Sequence, residues 1–332
     1  MSKFMRNSST LNGSIFFAAL LSFTMGAGEA QAAGTFMGAW DLTGDGVAES
    51  VYNNLSSIEV RQSNGATRSY AITNAAWTLL TVADMDGTAG LELALNVGSS
   101  IKLITHRTGW VRDYFISSGS WVPLGYHDLN GDGATDIAVN TGPAVRIIKL
   151  KTDTVSDYAI SNVSWAPIGF ADTDGDGGID IIVNNVRAVK IISDRTASSR
   201  DYAISSVNWA PLGIIDTDGK PGAEVVINNL SSVKIINDRT AYSRDYAISS
   251  GSWAPLGIID TDGKPGAEVV INNLSSVKII RNRDDSTKDY TVGSPSWSVQ
   301  MIADLDGKAG NEIMLNLGTS TKTIYDASEQ YY

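Results

Sequence analysis

Residues 209–236 read WAPLGIIDTDGKPGAEVVINNLSSVKII, and residues 253–280 read the same. This duplicated stretch decides the fold. Its tryptophan belongs to a ruler: Trp77, Trp121, Trp165, Trp209, Trp253 and Trp297 are each 44 residues apart. Its first aspartate belongs to a second: Asp41, Asp84, Asp128, Asp172, Asp216, Asp260 and Asp304, with a first interval of 43 and the others of 44. Eight residues after each comes another acid: Glu49, Glu92, Asp136, Asp180, Glu224, Glu268 and Glu312. Four further on comes Asn53, Asn96, Asn140, Asn184, Asn228, Asn272 or Asn316. The chain therefore carries seven units, and a fixed period of this length marks a repeat architecture.

Each unit reads as four short strands. In the fifth, 210–215 is apolar and runs into an Asp-rich loop. Residues 224–228 are β-branched, 229–232 make a turn, 233–237 form a third strand and 244–248 a fourth. Short strands separated by Gly, Asn, Asp and Ser are the signature of hairpins. The runs Leu256-Gly257-Ile258-Ile259 and Val269-Val270-Ile271 are continuous rather than alternating, which predicts strands covered on both faces. No segment holds a helical period. The sequence thus predicts an all-β protein: a seven-bladed β-propeller of four-stranded antiparallel blades, each packed between two neighbours. An open solenoid would need shorter units and polar capping repeats. No strand is visibly borrowed from the opposite terminus. The terminal Ser328–Tyr332 aligns with Ser286–Tyr290, as a short outer strand of the last blade. Closure is then expected to rest on packing between blades 1 and 7.

Working outward, the start of the chain reads as a secretory signal. Lys3 and Arg6 precede the apolar run 15–21, and Ala30-Gln31-Ala32 is a small-x-small cleavage site. The apolar run is short of the roughly 20 residues that span a bilayer. The expected division is a signal peptide at 1–32 and one propeller domain at 33–332, secreted or periplasmic, with no membrane span. Loss of Lys3, Arg6 and Glu29 takes the formal charge from −11 to −12. That acidity argues against a nucleic-acid partner, which demands a basic face. The chain has no cysteine, so disulfides, zinc–thiolate sites and thiol nucleophiles are excluded.

The acidic loops carry the chemistry. Unit 3 holds Asp128, Asn130, Asp132 and Asp136 at loop positions 1, 3, 5 and 9, and unit 4 holds Asp172, Asp174, Asp176 and Asp180. Oxygens at these spacings converge on one point, with glycines at positions 4 and 6 permitting the tight turn. The carbonyls of Ala134 and Gly178, at position 7, add a further oxygen. Calcium takes six to eight such oxygens. Unit 1 keeps the form more loosely, with Asp41, Thr43, Asp45, the Val47 carbonyl and Glu49. About three structural calcium sites are expected. Units 5, 6 and 7 place Lys220, Lys264 and Lys308 at position 5, and unit 2 places Thr88 there. The lysine is expected to replace the ion by pairing with Asp216 and Glu224 or their equivalents.

These loops in a strand–loop–strand setting make residues 33–332 resemble the FG-GAP/VCBS repeats, which form the integrin-alpha-type propeller. The match is strong in units 3 and 4, moderate in unit 1 and partial elsewhere. The Phe-Gly and Gly-Ala-Pro elements of the family are replaced by Pro-Leu-Gly (Pro123–Gly125, Pro211–Gly213, Pro255–Gly257) or Pro-Ile-Gly (Pro167–Gly169). The resemblance implies a propeller with structural calcium in some blades. It implies no single activity, since the family spans adhesion proteins, lectins and domains fused to enzymes.

The remaining residues read mostly as scaffold. The repeated tryptophan fits inter-blade core better than a sugar-stacking platform. The repeated Asp-Tyr pair of the outer strand (Asp113-Tyr114 to Asp289-Tyr290) is expected to pin or solvate blade edges. Trp110 stands outside the register, near Arg107 and Arg112, and reads as a packed loop residue ahead of a ligand-site candidate. His106 and His127 occupy different positions in adjacent units, which disfavours a shared metal. No Ser-His-Asp order, phosphate loop or zinc motif appears. The functional expectation is a secreted, calcium-stabilised, non-catalytic, monomeric propeller that binds an extracellular glycan or protein. The alternatives are a polysaccharide lyase or glycoside hydrolase working on the propeller face, and a structural surface or matrix protein.

Overall fold

The computed structural model describes residues 34–331 apart from 75, 117–119, 250 and 294–295. The signal expected at 1–32 lies outside the described residues. The fifth unit becomes strands Ala210–Ile215, Glu224–Asn228, Ser232–Asn237 and Tyr242–Ala247, hydrogen-bonded in that order and antiparallel throughout. The other six units repeat this, giving seven four-stranded sheets, each built from consecutive strands. The protein is a seven-bladed β-propeller. The first strands of blades 4, 5 and 6 approach one another, as strands around a common axis do.

The continuous apolar runs follow from packing on both faces. Leu93 and Leu95 on the second strand of blade 2 join the core shared with blade 1, while Ala94 between them joins the core shared with blade 3. Six such cores lie between successive blades, from blades 1 and 2 to blades 6 and 7. Each buried Val or Ile contributes about 1.5–3 kcal/mol by leaving water. These cores replace the disulfides that the chain cannot form.

The Pro-Leu-Gly element also has a structural cause. The pairing of first and second strands slips by one residue between Pro211 and Gly213, a bulge repeated in the other blades. Gly213 then faces the next blade, where a Cβ would stand 2.8 Å from Ile258 Cδ1. Gly125 and Gly169 receive Phe170 and Ile214 of their neighbours in the same way. A bulge can accept proline because one ladder hydrogen bond is already lost there.

Polar clasps complete each junction. The indole N–H of Trp165 donates to the Gly142 carbonyl of the preceding blade at 2.7 Å, and Trp209 to Val186 at 2.8 Å. The backbone N–H of Ile179 donates to the Asp128 carbonyl, and five equivalent bonds join the other successive blades. Outer-strand tyrosines reach forward: Tyr158 donates to Asp194 at 2.8 Å and Tyr290 to Asp326 at 2.7 Å. Their aspartate neighbours pair across the sheet instead, as Asp201 does with Lys190 at 2.7 Å. The Asp-Tyr pair thus divides its work between two blades.

The junction from blade 7 to blade 1 differs. Gly34 stands immediately before the first strand of blade 1, where Trp77 stands in blade 2. The Ala48 N–H does not bond the Asp304 carbonyl. The last outer strand is Gln330–Tyr331, with Tyr325 opposite Gln330 as Arg281 is opposite Ser286. Gln330, not Ser328, is therefore the counterpart of Ser286. The alignment of Ser328–Tyr332 with Ser286–Tyr290 is two residues out of step, because the 44-residue period carries Ser286 to Gln330 and the 3-10 turn Asn282–Asp284 to Asp326–Ser328.

Candidate metal centres

Each acidic loop joins the first and second strands of a blade. In blade 3, Asp128 accepts the Asp132 N–H at 3.0 Å and the Gly133 N–H at 2.8 Å. Asp132 accepts the Ala134 N–H at 2.9 Å. In blade 4, Asp172 accepts Gly175 at 2.6 Å and Gly177 at 2.9 Å, while Asp176 accepts Gly178 at 2.8 Å. The turn requires left-handed backbone at Gly131 and Gly133, where φ is 70° and 86°. Blade 1 keeps the same wrap, with Gly44 and Gly46 bonded to Asp41 and Val47 bonded to Asp45.

The acid at position 9 begins the second strand and lies beneath the loop. Asp136 and Asp180 are fully buried. One oxygen of each holds the loop: Asp136 Oδ2 accepts Leu129 N–H at 3.1 Å, and Asp180 Oδ2 accepts Thr173 N–H at 2.9 Å. The other oxygen, Oδ1, has no hydrogen-bond partner in either residue. The Ser193 hydroxyl approaches Asp180 without the alignment of a hydrogen bond. Burial pushes both carboxyls up to about 7, reinforced by Asp132 and Asp194 around Asp136 and by Asp174 beside Asp180. An orphaned buried carboxylate oxygen costs about 1–3 kcal/mol or more.

Convergence of carboxylates alone does not single out these loops. Asp172, Asp174 and Asp180 gather within 4.8 Å, but so do the corresponding trios of blades 2, 5, 6 and 7. Blade 3 has Asn130 and blade 1 Thr43 in the middle place, so neither forms such a trio. The distinction lies in what each loop's acids are bonded to.

In blades 5 and 6 a protein cation occupies the centre, though not the expected one. Lys220 is mostly exposed and reaches only Asp218, at 3.8 Å, and Lys264 reaches only Asp262, at 3.5 Å. Neither pairs with Asp216 or Glu224, nor with their counterparts Asp260 and Glu268. Both lysine side chains run out into solvent. The cation comes instead from the turn between the third and fourth strands. Arg283 Nη2 meets Asp262 at 2.7 Å and its Nη1 meets Glu268 at 3.4 Å. In blade 5, Arg239 meets Asp218 at 2.9 Å, and Asn237 Nδ2 bonds Glu224 at 2.8 Å. In blade 7, Lys308 pairs with Asp306 at 2.8 Å while remaining exposed.

The same turn carries Lys151 in blade 3 and Arg195 in blade 4. These stop at the loop rim: Lys151 lies 3.7 Å from Asp132, and Arg195 3.7 Å from Asp176. Sequence reasoning missed this arginine series. Its signal was present, since residues 107, 151, 195, 239 and 283 are Arg or Lys at the repeat spacing.

The other candidates resolve as scaffold. Four of the six repeated tryptophans are buried, and all six cap a turn of the preceding blade. His106 Nδ1 bonds Tyr70 OH at 2.7 Å, as the clasp of the first junction. His127 packs against Phe170, so the two histidines serve different junctions. No helix among the described residues is long and apolar enough to cross a membrane.

No protein-family model matches the chain, and no curated protein matches it. Solved structures do. An Agrocybe aegerita lectin that recognises non-reducing terminal N-acetylglucosamine is 12% identical, with 84% of this chain and 87% of that one covered at a TM-score of 0.38. A streptogramin B lyase is 17% identical, with 87% and 95% covered at 0.34. Virginiamycin B lyase from Staphylococcus aureus is 14% identical, with 86% and 92% covered at 0.35. Likeness at this level does not extend to ligand or activity.

Proposed function

We propose that this chain is a secreted or periplasmic, calcium-stabilised propeller of the FG-GAP/VCBS type that binds an extracellular glycan or protein without catalysis. The observation that carries the calcium reading is the pair of orphaned oxygens, Asp136 Oδ1 and Asp180 Oδ1. They sit beneath the two loops whose sequence best suits a hard cation, and a divalent ion would supply the charge that Arg283 supplies in blade 6. Asp128, Asn130, Asp132, the Ala134 carbonyl and Asp136 would hold one ion. Asp172, Asp174, Asp176, the Gly178 carbonyl and Asp180 would hold another. Asp41, Thr43, Asp45, the Val47 carbonyl and Glu49 would hold a third, weaker one, since Thr43 already donates to Glu49 at 3.3 Å.

A scaffold role is supported by where the perturbed acids lie. Glu92, Asp136, Asp180 and Glu268, all raised to about 7 mainly by burial, are under loops and not in an open groove. The signal pattern of residues 1–32 supports export. Calcium titration by calorimetry should find two tight sites and one weaker. Finding none, or finding seven, overturns the assignment. Binding to a glycan array, with and without calcium, tests the ligand class.

A further inference from the structure

One junction breaks the repeat in two places at once. The turn position that bonds the preceding blade's tyrosine holds His106, Asp194, Asp238, Asn282 and Asp326 in five blades, but Leu150 in blade 3. Tyr114 cannot bond a leucine, so its hydroxyl donates to Asp153 instead, at 2.8 Å. The outer strand of blade 2 opens with Trp110, where blades 3, 4 and 6 have Thr154, Ser198 and Ser286 and blade 5 has Tyr242, at the junction that holds the polar Asn282. Together these changes leave a groove of about 580 Å³ with Leu150 as an apolar floor, Trp110 as a wall, and Thr105, Thr108, Asp86 and Asp153 around it.

The groove has the composition of a ligand site. Trp110 is 38% exposed on an outer strand, although an indole is costly to leave wet. The volume lies in the usual range for small-molecule sites, about 300–1,000 Å³. The charges around it balance: Arg112 pairs with Asp153 at 2.6 Å, and Arg107 lies 3.5 Å from Asp86. A balanced rim does not concentrate a phosphate or a polycation. It does offer the carboxylates of Asp86 and Asp153 and the threonine hydroxyls of its lining side by side, which suit the paired hydroxyls of a sugar. The flat C–H face of a pyranose matches an exposed indole over an apolar floor.

We propose that the groove between blades 2 and 3 binds a neutral pyranose, stacked on Trp110 and hydrogen-bonded through Asp86 and Asp153. This rests on the glycan side of the proposed function and names its site. The other five junctions of this kind, with polar acceptors in place of Leu150, are not expected to bind the same ring.

The test is calorimetry of the calcium-loaded protein with a panel of neutral hexose oligosaccharides, repeated on Trp110→Ala and Leu150→Asp. The expected result is binding by the native chain that weakens at least tenfold in both variants, with melting and calcium stoichiometry unchanged. Undiminished binding in both variants overturns this site and leaves glycan binding elsewhere on the propeller. Absence of sugar binding by the native chain overturns the inference, while chelator-sensitive melting in that sample would keep the calcium reading intact. If a variant melts early, Trp110→Phe, which keeps an aromatic face, should retain most of the binding. Failure of Trp110→Phe to do so overturns the stacking role.

Discussion

The loops of blades 3 and 4 and those of blades 5 and 6 hold the same place between first and second strands but differ in turn and in electrostatics, with left-handed glycines at positions 4 and 6 in the first pair and at 4 and 7 in the second. In the first pair a buried Asp at position 9 keeps one oxygen without a partner, and the nearest cation stops at the rim. In the second pair position 9 is a Glu, one methylene longer, and Asn237 or Arg283 reaches its free oxygen. The basic residue of the third turn is common to all four blades. What differs is whether the second oxygen of the buried acid finds a partner, the Asn237 amide in blade 5 and Arg283 in blade 6. The same place in the blade can thus carry its positive charge internally or leave room for an ion.

The largest test of this contrast is calcium removal. An ion present at about 100 times its dissociation constant stabilises by about 2.7 kcal/mol per site. Chelation should therefore lower Tm steeply, by more than any single side-chain change proposed here. The double variant Asp136→Asn, Asp180→Asn should lose most of its sensitivity to chelator, keeping only the share of the weaker blade 1 site. Chelator-insensitive melting of the native protein breaks the contrast outright.

Next in size is Arg283→Ala. It strands Asp262 and Glu268, both buried, and should cost about 2 kcal/mol, a typical loss for hydrogen bonds to charged groups. It should also make blade 6 respond to calcium, adding one site by calorimetry. Loss of stability with no added site would mean that Arg283 braces the loop without standing in for an ion.

The pH dependence of the chelated protein sharpens the same point. Asp136 and Asp180 are raised from 3.8 in the unfolded chain to about 7 in the metal-free fold. The folded state therefore holds the protons more tightly, and the stabilisation from them is present below about 4 and lost as pH rises through about 7. Metal-free protein should gain stability between pH 7.5 and pH 5, measured by denaturant melts. The Asp136→Asn, Asp180→Asn variant should show a flatter profile across that window.

The smallest effect belongs to Lys264→Ala. Its side chain is 65% exposed and stands 3.5 Å from Asp262. Exposed pairs of this kind are worth about 0–1 kcal/mol, so Tm should hardly move. A drop matching that of Arg283→Ala would restore the lysine as the internal cation.

Most of the fold was legible because repetition multiplies a weak signal. One set of continuous apolar runs is ambiguous between a buried helix and a buried strand, but seven at the same spacing, each broken by Asp, Asn and Gly, are not. The strand boundaries of blade 5 follow the sequence reading to within two residues. The end of blade 7 was misplaced because the local likeness of Ser328–Tyr332 to Ser286–Tyr290 outweighed the 44-residue spacing, which matches Ser286 to Gln330. The lysine prediction failed for a related reason. Loop position 5 is adjacent in sequence to the acids, whereas Arg283 lies 21 residues beyond Asp262 and returns to it only through the hairpin.

The sequence alone determined the period, the seven units, the strands buried on both faces and the acids that converge in each loop. These follow from local spacing: 44-residue repetition, continuous β-branched runs and turn residues at fixed offsets. Only the tertiary structure decided which buried carboxylates have partners, how each tryptophan and tyrosine clasps the neighbouring blade, and that Leu150 and Trp110 line one groove. Those outcomes depend on distances of a few ångströms between groups far apart in the chain. A partner within reach separates a satisfied acid from an orphaned one, and the linear order of residues does not record it.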